Sequence, residues 1–177
     1  MPRISAATNA AQRENTKRAI LESFGKLLYS RGLPGLTMTD VAKNAGIGRT
    51  AVYNYFADMG ELLVAYALDE TERFIKELDE GLEGVDNPID QLAVYIRLQI
   101  EDLARRHLPP GPAMRSMLSP ESYAKLGKHV RELQMVLANI LSAAIAEHYI
   151  PENDIRELAM LVHGSLSSSA GRTEDAP

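Results

Sequence analysis

Apolar residues recur every three or four positions along most of the chain, and the sequence contains almost no strand signal. Over residues 13–31 this spacing predicts a first helix, which Gly32 ends. Thr37 and Asp40 have the spacing of a capping box, with Asp in place of the usual Glu or Gln, and predict a second, short helix that ends at Gly46.

Further helices follow, and the sequence contains start or stop signals for several of them. Asp58 and Glu61 repeat the capping spacing. Pro88, directly after Asn87, suits the first position of a helix, and Pro151 is predicted to end the longest one. The approximate ranges of these helical segments are 48–56, 58–81, 88–107, 113–118, 120–150 and 153–169. The predicted fold class is therefore all-α.

The composition excludes several classes of protein. The chain has 177 residues, of which 45% are hydrophobic and 24% charged, as expected for a folded globular protein. It contains no cysteine, which excludes disulfides, thiolate metal sites and a cysteine nucleophile. It has no long, uniformly apolar stretch, and its charged start does not resemble a signal peptide, so we expect a cytoplasmic protein without membrane association.

Charge is distributed unevenly along the chain. Residues 1–56 carry eight basic and three acidic side chains, a net charge of +5, although the whole chain has a net charge of −5. The remaining residues therefore carry 11 basic and 21 acidic side chains, a net charge of −10. Such a split is typical of a nucleic-acid-binding module joined to a domain with another role, but a solvated basic face would also explain it.

Two short helices joined by a glycine turn predict a helix-turn-helix. Ala42 is small where the two helices must touch, Gly46 supplies the turn, and Ile47 fills the corner. Val52 and Phe56 place one apolar stripe of the following helix against the core. The opposite side of that helix is then left for solvent or for DNA.

That opposite side carries residue types that read base edges. Its two i, i+4 pairs are Arg49 with Tyr53 and Thr50 with Asn54. Arginine can bind guanine through two hydrogen bonds, asparagine can do the same with adenine, and a threonine methyl can contact thymine. Tyr55, near the helix end, is better placed for a phosphate. The alternative is a helical hairpin whose polar face only meets water and whose aromatic residues only pack.

The stretch from Leu36 to Leu63, LTMTDVAKNAGIGRTAVYNYFADMGELL, resembles the DNA-binding region of TetR-type transcriptional regulators. It shares the family's Tyr-x-x-Phe at the end of the recognition helix, before a capped fourth helix. The resemblance implies a helix-turn-helix DNA-binding domain at residues 1–57, with a basic arm at about 1–12. It also implies a helical effector-binding and dimerisation domain at 58–171, followed by a polar tail at 172–177.

The resemblance also assigns the DNA contacts. The residues that would face DNA are Arg49, Thr50, Tyr53, Asn54 and Tyr55, with Thr39 and Lys43 near its backbone. Two places depart from the family pattern. Gly48 stands where Ser or Thr often caps the recognition helix, and Met59 with Gly60 replaces a lysine followed by an acidic residue. Because a thioether supplies no ammonium group, a phosphate contact from Met59 is not expected.

Dimerisation has its own sequence argument. From Tyr123 to Ala144 apolar residues repeat with gaps of three and four, and the last helix has a small-residue face around Gly164. Pairing of both helices with their symmetry mates would let a dimer read a palindromic site. The predicted interface residues are Leu126, Val130, Leu133, Leu137, Ile140, Leu158, Val162 and Leu166. Alternatively, both helices complete the chain's own core.

A mostly apolar effector pocket is expected among the later helices. The candidate lining residues are Tyr66, Phe74, Tyr95, Ile96, Leu103, Met114, Met117, Leu118, Tyr123 and His163. Met114 and Met117, beside the proline-rich turn, are candidates for a mobile wall because thioethers adapt to irregular ligands. The alternative for most of these residues is an ordinary place in the core.

The sequence lacks the motifs of common enzymes: HExxH, GxSxG, the P-loop and GxGxxG are absent, and the four histidines are scattered. We therefore expect no catalysis, cofactor or metal. The sequence predicts a homodimeric repressor, or less often an activator, that binds a palindromic operator and responds to a small-molecule effector. The alternative is a helical small-molecule-binding or interaction protein without sequence-specific DNA binding.

Overall fold

The computed structural model describes residues 6–105, 108, 114–115 and 118–170, and this part of the chain contains helices and no strand. In chain order the helices are α1 (Ala6–Arg31), α2 (Met38–Ala45), α3 (Arg49–Tyr53), α4 (Met59–Leu82), α5 (Pro88–Arg105), α6 (Pro120–Ala146) and α7 (Ile155–Ala170). The predicted all-α class is confirmed. None of these helices combines the length and the apolar character that a membrane crossing requires.

Two predicted boundaries near the N-terminus differ from the observed ones. α1 begins at Ala6 rather than at Arg13, so residues 6–12 are helical, and their role as a basic arm stays a prediction. α3 ends at Tyr53 rather than at Phe56. The Phe56 N–H still donates to the Val52 carbonyl at 3.0 Å, so the chain keeps one more helical hydrogen bond beyond the end of α3.

The end of α6 also differs from its prediction. α6 ends at Ala146, well before Pro151. His148 adopts a left-handed backbone conformation with φ 61°, and the Tyr149 N–H donates to the Ala144 carbonyl at 2.9 Å. This C-terminal motif normally uses glycine, so the sequence carries no signal for it at this position.

Some predicted features lie outside the described residues. The positions concerned are 1–5, 106–107, 109–113, 116–117 and 171–177, which include part of the predicted arm, Met117 and the polar tail. Of the helical piece predicted at 113–118, Met114 and Arg115 are helical. The Leu118 N–H donates to the Met114 carbonyl at 3.1 Å.

The chain divides into two compact units. The first comprises Met1–Ala67 with His107–Tyr123, and the second comprises Leu68–Arg106 with Ala124–Pro177. The division falls within α4, whereas the functional boundary expected from the sequence, between residues 57 and 58, precedes that helix. That functional boundary stays a prediction.

Within the first unit, an apolar core supports the two short helices. Its buried side chains include Ile20, Leu21, Phe24, Leu27, Leu28, Val41, Ala42, Val52, Leu62 and Leu63. The Ser23 hydroxyl donates to the Val41 carbonyl at 3.1 Å, which ties α1 to α2. Tyr66 meets Phe24 edge-on, with ring centroids 5.4 Å apart, and so ties α4 to α1. These contacts fix α2 on α1 and hold the start of α4.

Within the second unit, α4, α5 and α6 share one apolar cluster. Its buried members are Phe74, Leu78, Tyr95, Leu98, Leu137, Ile140 and Leu141, and Leu158 and Val162 of α7 pack against it. A methyl group added at Gly81 would lie 2.9 Å from Leu98 Cδ1, so α4 and α5 approach each other closely at this glycine. The cluster encloses Tyr95, which is the largest fully buried side chain.

Candidate nucleic-acid interface

The start of α2 is fixed by a complete capping box. The Asp40 N–H donates to Thr37 Oγ1 at 3.2 Å, and the Thr37 N–H donates to the Asp40 carboxylate at 3.0 Å. Hydrogen bonds from the Thr37 hydroxyl and backbone hold the pKa of Asp40 below its usual value, because they favour the carboxylate. The predicted capping box is confirmed, and aspartate serves where glutamate is more usual.

The turn after α2 depends on Gly46. This residue has a left-handed backbone with φ 68°, and its N–H donates to the Lys43 carbonyl at 3.3 Å. The Ile47 N–H donates to the Ala42 carbonyl at 3.0 Å, which completes the turn. Ala42 is buried and Ile47 is half-buried, in the places that the sequence predicts for the helix contact and the corner.

α3 is short but firmly placed. It begins after Gly48, whose carbonyl accepts hydrogen bonds from the N–H groups of Ala51 (2.9 Å) and Val52 (3.3 Å). Because glycine has no side chain, Gly48 supplies no side-chain cap to α3. Val52 and Phe56 are buried on one side, as predicted. The orientation of α3 is therefore set by its own apolar stripe.

The opposite side of α3 is open to solvent. Its exposed residues are Arg49, Thr50, Tyr53 and Asn54, the last of which is the C-cap directly after the helix. The Arg49 guanidinium lies 5.5 Å from the centre of the Tyr53 ring and forms a long hydrogen bond of 3.4 Å with the Tyr53 hydroxyl. A weak contact of this kind orders the two side chains at the surface and leaves both able to exchange it for a ligand.

Three further predicted DNA-contact residues have different surroundings. Thr39 and Lys43 are exposed on α2. Tyr55 is half-buried, and the Arg13 guanidinium of α1 lies 5.0 Å from the centre of its ring. Sequence reasoning counted Arg13 only as part of the local basic charge. Its contact with Tyr55 adds an exposed cation beside the predicted interface, whereas Met59, the first residue of α4, adds none.

The predicted effector-pocket residues are divided between the two compact units. In the first unit, Tyr66, Met114 and Leu118 are buried and Tyr123 is half-buried below the Arg115 guanidinium. In the second unit, Phe74 and Tyr95 are buried, and Ile96, Leu103 and His163 are half-buried. The structure brings the Tyr95 and His163 rings together, with centroids 6.3 Å apart. The pocket as a whole stays a prediction.

Sequence reasoning missed two polar residues in the interior of the second unit. Gln99 and Asp102 are buried on α5, four and seven positions after Tyr95. A signal was available, because the spacing of Tyr95, Leu98, Gln99 and Asp102 places all four on one helical face. Polar residues within an otherwise apolar stripe are candidates for ligand contacts.

The residues of the predicted dimer interface have different surroundings within the chain, and the interface itself stays a prediction. Four of its residues are already buried within the chain: Leu126, Leu137, Ile140 and Leu166. Leu137 and Ile140 belong to the cluster shared by α4, α5 and α6, so the chain's own core explains them and a partner is not needed. Leu133, Leu158 and Val162 are half-buried against that cluster, and Val130 is exposed.

The most exposed apolar side chains of α7 are not among the predicted interface residues. Met160 and Leu161 are each 66% exposed. They lie on the same face as the exposed Gly164 and Ser165, which are three to five positions further along α7. This face combines apolar side chains with the small residues that the sequence identified for close helix approach.

We expect Gly46→Ala to lower the free energy of unfolding by about 1 kcal/mol or more, because an L side chain is strained at φ 68°. Gly48→Ala is the matched control. Gly48 has φ −66° and open space around an added Cβ, so this change adds no backbone strain and should cost less than Gly46→Ala, although alanine is a poorer N-cap than glycine. Denaturant titration measures both values, and equal effects would contradict the turn assigned to Gly46.

The described residues define a class of protein. It is all-helical, and its first compact unit carries a helix-turn-helix whose second helix exposes a polar face beside a basic α1. Residues 20–66 match the model of the tetR family of bacterial regulatory proteins. The N-terminal region of the chain is therefore similar to the DNA-binding region of tetR-family regulators.

Comparison with known proteins finds similar helix-turn-helix regulators. An uncharacterized HTH-type transcriptional regulator of Haemophilus influenzae is 34% identical over 74 residues, which are 41% of this chain and 36% of the relative. The matched region is thus about a third of the length of the curated relatives.

Two solved structures share the fold over most of their length. The transcriptional regulator FadR from Bacillus subtilis, in complex with stearoyl-CoA, has 20% sequence identity and a TM-score of 0.73, covering 86% of this chain and 84% of FadR. The superantigen PfiT has 18% identity and a TM-score of 0.78, covering 92% of this chain and 89% of PfiT. At these identities the likeness establishes the fold alone.

Proposed function

We propose that the protein is a DNA-binding transcriptional repressor that acts as a homodimer and responds to a small-molecule effector. The observation that carries this proposal is the orientation of α3: Val52 is fully buried, while Arg49 and Asn54 are exposed on the opposite side. A helix held in this way can enter a major groove with its polar side toward the bases. The protein then works by binding, without a catalytic step.

Charge supports this orientation. Residues 1–56 have a net charge of +5 within a chain of net charge −5. Lys43 on α2 and Arg13 on α1 are exposed in the same unit as α3. Contacts between such cations and phosphates supply affinity for any sequence, and the base contacts of α3 supply the preference for one.

The effector acts through a difference in affinity between conformations. A ligand that binds better to the form unable to bind DNA releases the operator, and DNA in turn weakens ligand binding by the same factor. FadR, with stearoyl-CoA, is an example of a protein of this fold that holds a small molecule. We assign effector binding to the second unit.

Binding-site selection tests the proposal most directly. The purified full-length protein is incubated with random duplex DNA, and bound molecules are amplified and sequenced. We expect an inverted repeat whose half-sites lie about 34–36 Å apart or a multiple of that distance. Recovery of random sequence after repeated selection would contradict sequence-specific binding.

A second candidate function is a helical small-molecule-binding or interaction protein without DNA binding. Met59 favours it, because the phosphate-anchoring lysine common in the family is absent there. The dependence of DNA affinity on salt separates the two. A DNA-binding protein should show a linear fall of log K with log[salt], with a slope of about −0.9 for each phosphate contacted. No measurable binding at low salt would favour the second candidate.

A further inference from the structure

Within the described residues, the interior of the second unit contains polar atoms without hydrogen-bond partners. Tyr95 is fully buried, and its hydroxyl has no partner. Gln99 is 8% exposed, and its Oε1 has no partner. The Nε2 of His163 is likewise buried without a partner. Most buried polar groups in folded proteins are paired, so three such atoms in one unit require an explanation.

These atoms lie on two helices that pack together. Tyr95 and Gln99 are one turn apart on the same face of α5. His163 on α7 contacts Tyr95 edge-on, with ring centroids 6.3 Å apart and planes at 76°. The apolar surroundings of Tyr95 include Phe74 of α4 and Leu137 of α6. The arrangement is a small polar group inside an apolar interior, which is the usual composition of a small-molecule site.

Unpartnered polar atoms destabilise the folded chain. A buried hydroxyl or amide without a hydrogen bond loses its hydration and gains nothing in return, whereas phenylalanine or methionine of similar shape would avoid this loss. Tyr95 and Gln99 are therefore poor choices for stability alone. Their presence is explained when a ligand supplies the missing hydrogen bonds.

The chemistry of the polar group limits the ligand. Burial raises the pKa of Tyr95 and lowers the pKa of His163, so both side chains are neutral near pH 7. The Oε1 of Gln99 can only accept a hydrogen bond. Asp102, which has interactions of its own, adds a carboxylate to the same buried face of α5. Among the described residues, the buried polar and charged side chains include no lysine or arginine.

We propose that Tyr95, Gln99 and His163 bind the polar head of a small, largely apolar effector whose head donates hydrogen bonds and carries no negative charge. An alcohol, a phenol and an amine share this chemistry. A carboxylate does not, because it would meet the Gln99 carbonyl oxygen, which also only accepts hydrogen bonds, and the described residues include no buried lysine or arginine to balance its charge. This inference rests on the effector response proposed above and specifies its ligand.

The test uses thermal melting of the full-length protein with four probes of similar size: benzyl alcohol, benzylamine, benzoate and toluene. At equal millimolar concentration, the alcohol or the amine should raise the melting temperature more than toluene does, and benzoate should raise it least. A probe at about ten times its Kd should give a shift of a few degrees.

Two variants connect the shift to the residues. Tyr95→Phe and Gln99→Met each remove one of the unpartnered atoms and keep an apolar side chain of similar size. Without a probe, both should melt at the parent temperature or above it. With the two hydrogen-bond donor probes, benzyl alcohol and benzylamine, both variants should lose most of the shift in melting temperature, while the effect of toluene is retained.

Tyr149→Phe is the matched control. The Tyr149 hydroxyl accepts a 2.7 Å hydrogen bond from Asn87 Nδ2 elsewhere in the second unit. Its removal should lower the melting temperature and leave the probe shifts unchanged. A larger shift with benzoate, no advantage of donors over toluene, or unchanged donor shifts in Tyr95→Phe and Gln99→Met would each overturn the inference.

Operator binding without a probe separates this inference from the proposed function. Operator binding depends on α2 and α3 in the first unit, so it is measured on the parent protein beside the probe shifts. A protein that binds its operator but shows no preference for donor probes retains the proposed function and refutes the inference. A protein that prefers benzyl alcohol or benzylamine but binds no operator supports the inference and refutes the proposed function.

Discussion

Replacing Arg49 by alanine is expected to weaken binding to the selected operator by roughly 1 to 3 kcal/mol and to relax the preference at one base pair. Arg49 is the first residue of α3 and is exposed, and its contact with Tyr53 is weak enough to be exchanged for a base. A guanidinium can bind the O6 and N7 atoms of guanine together, and no shorter side chain replaces that contact. Quantitative binding to the operator and to its single-base variants measures both effects.

Lys43→Ala is the control for this prediction. Lys43 is exposed on α2 and is assigned to the DNA backbone, so its loss should weaken binding to all sequences alike. The slope of log K against log[salt] should become less negative by about 1, as expected for one lost phosphate contact. If Arg49→Ala showed this uniform loss and kept its base preference, the base-reading role of Arg49 would be wrong.

The helix-turn-helix could be predicted from the sequence because its signals are local. Thr37 and Asp40 form their capping box within four residues, and the left-handed backbone of Gly46 is a property of glycine itself. The orientation of α3 follows from the spacing of Val52 and Phe56. Each of these signals requires only the neighbouring chain. The end of α6 could not be predicted in this way, because His148 adopts a left-handed backbone conformation that is uncommon for histidine.

The packing of the later helices was harder to predict, because residue spacing shows which residues share a helix face but not what covers that face. Leu137 and Ile140 repeat as an interface seam would, yet α4 and α5 cover them within the chain. Gln99 stands at a core position of α5, and only the packed structure shows that its Oε1 is buried without a partner. Long-range packing decides both cases, and single-sequence periodicity does not contain it.

Leu161→Glu is expected to convert the proposed dimer into a monomer. Leu161 and Met160 are each 66% exposed on α7, on the same face as Gly164 and Ser165. Apolar side chains beside small residues allow two helices to approach closely, and an unpaired carboxylate between them would have to be desolvated. Sedimentation velocity measures the change of mass. A variant that still sediments as a dimer would contradict this assignment of the interface.

The same variant should lose operator affinity by about a hundredfold to ten-thousandfold, because a dimer binds its second half-site at the high effective concentration set by the first. Ile100→Glu is the matched control, since Ile100 is also exposed (47%) but lies on α5 rather than on α7. It should remain dimeric and bind the operator normally. A Leu161→Glu monomer that kept the full operator affinity would show that one helix-turn-helix suffices, and the palindromic site would then need another explanation.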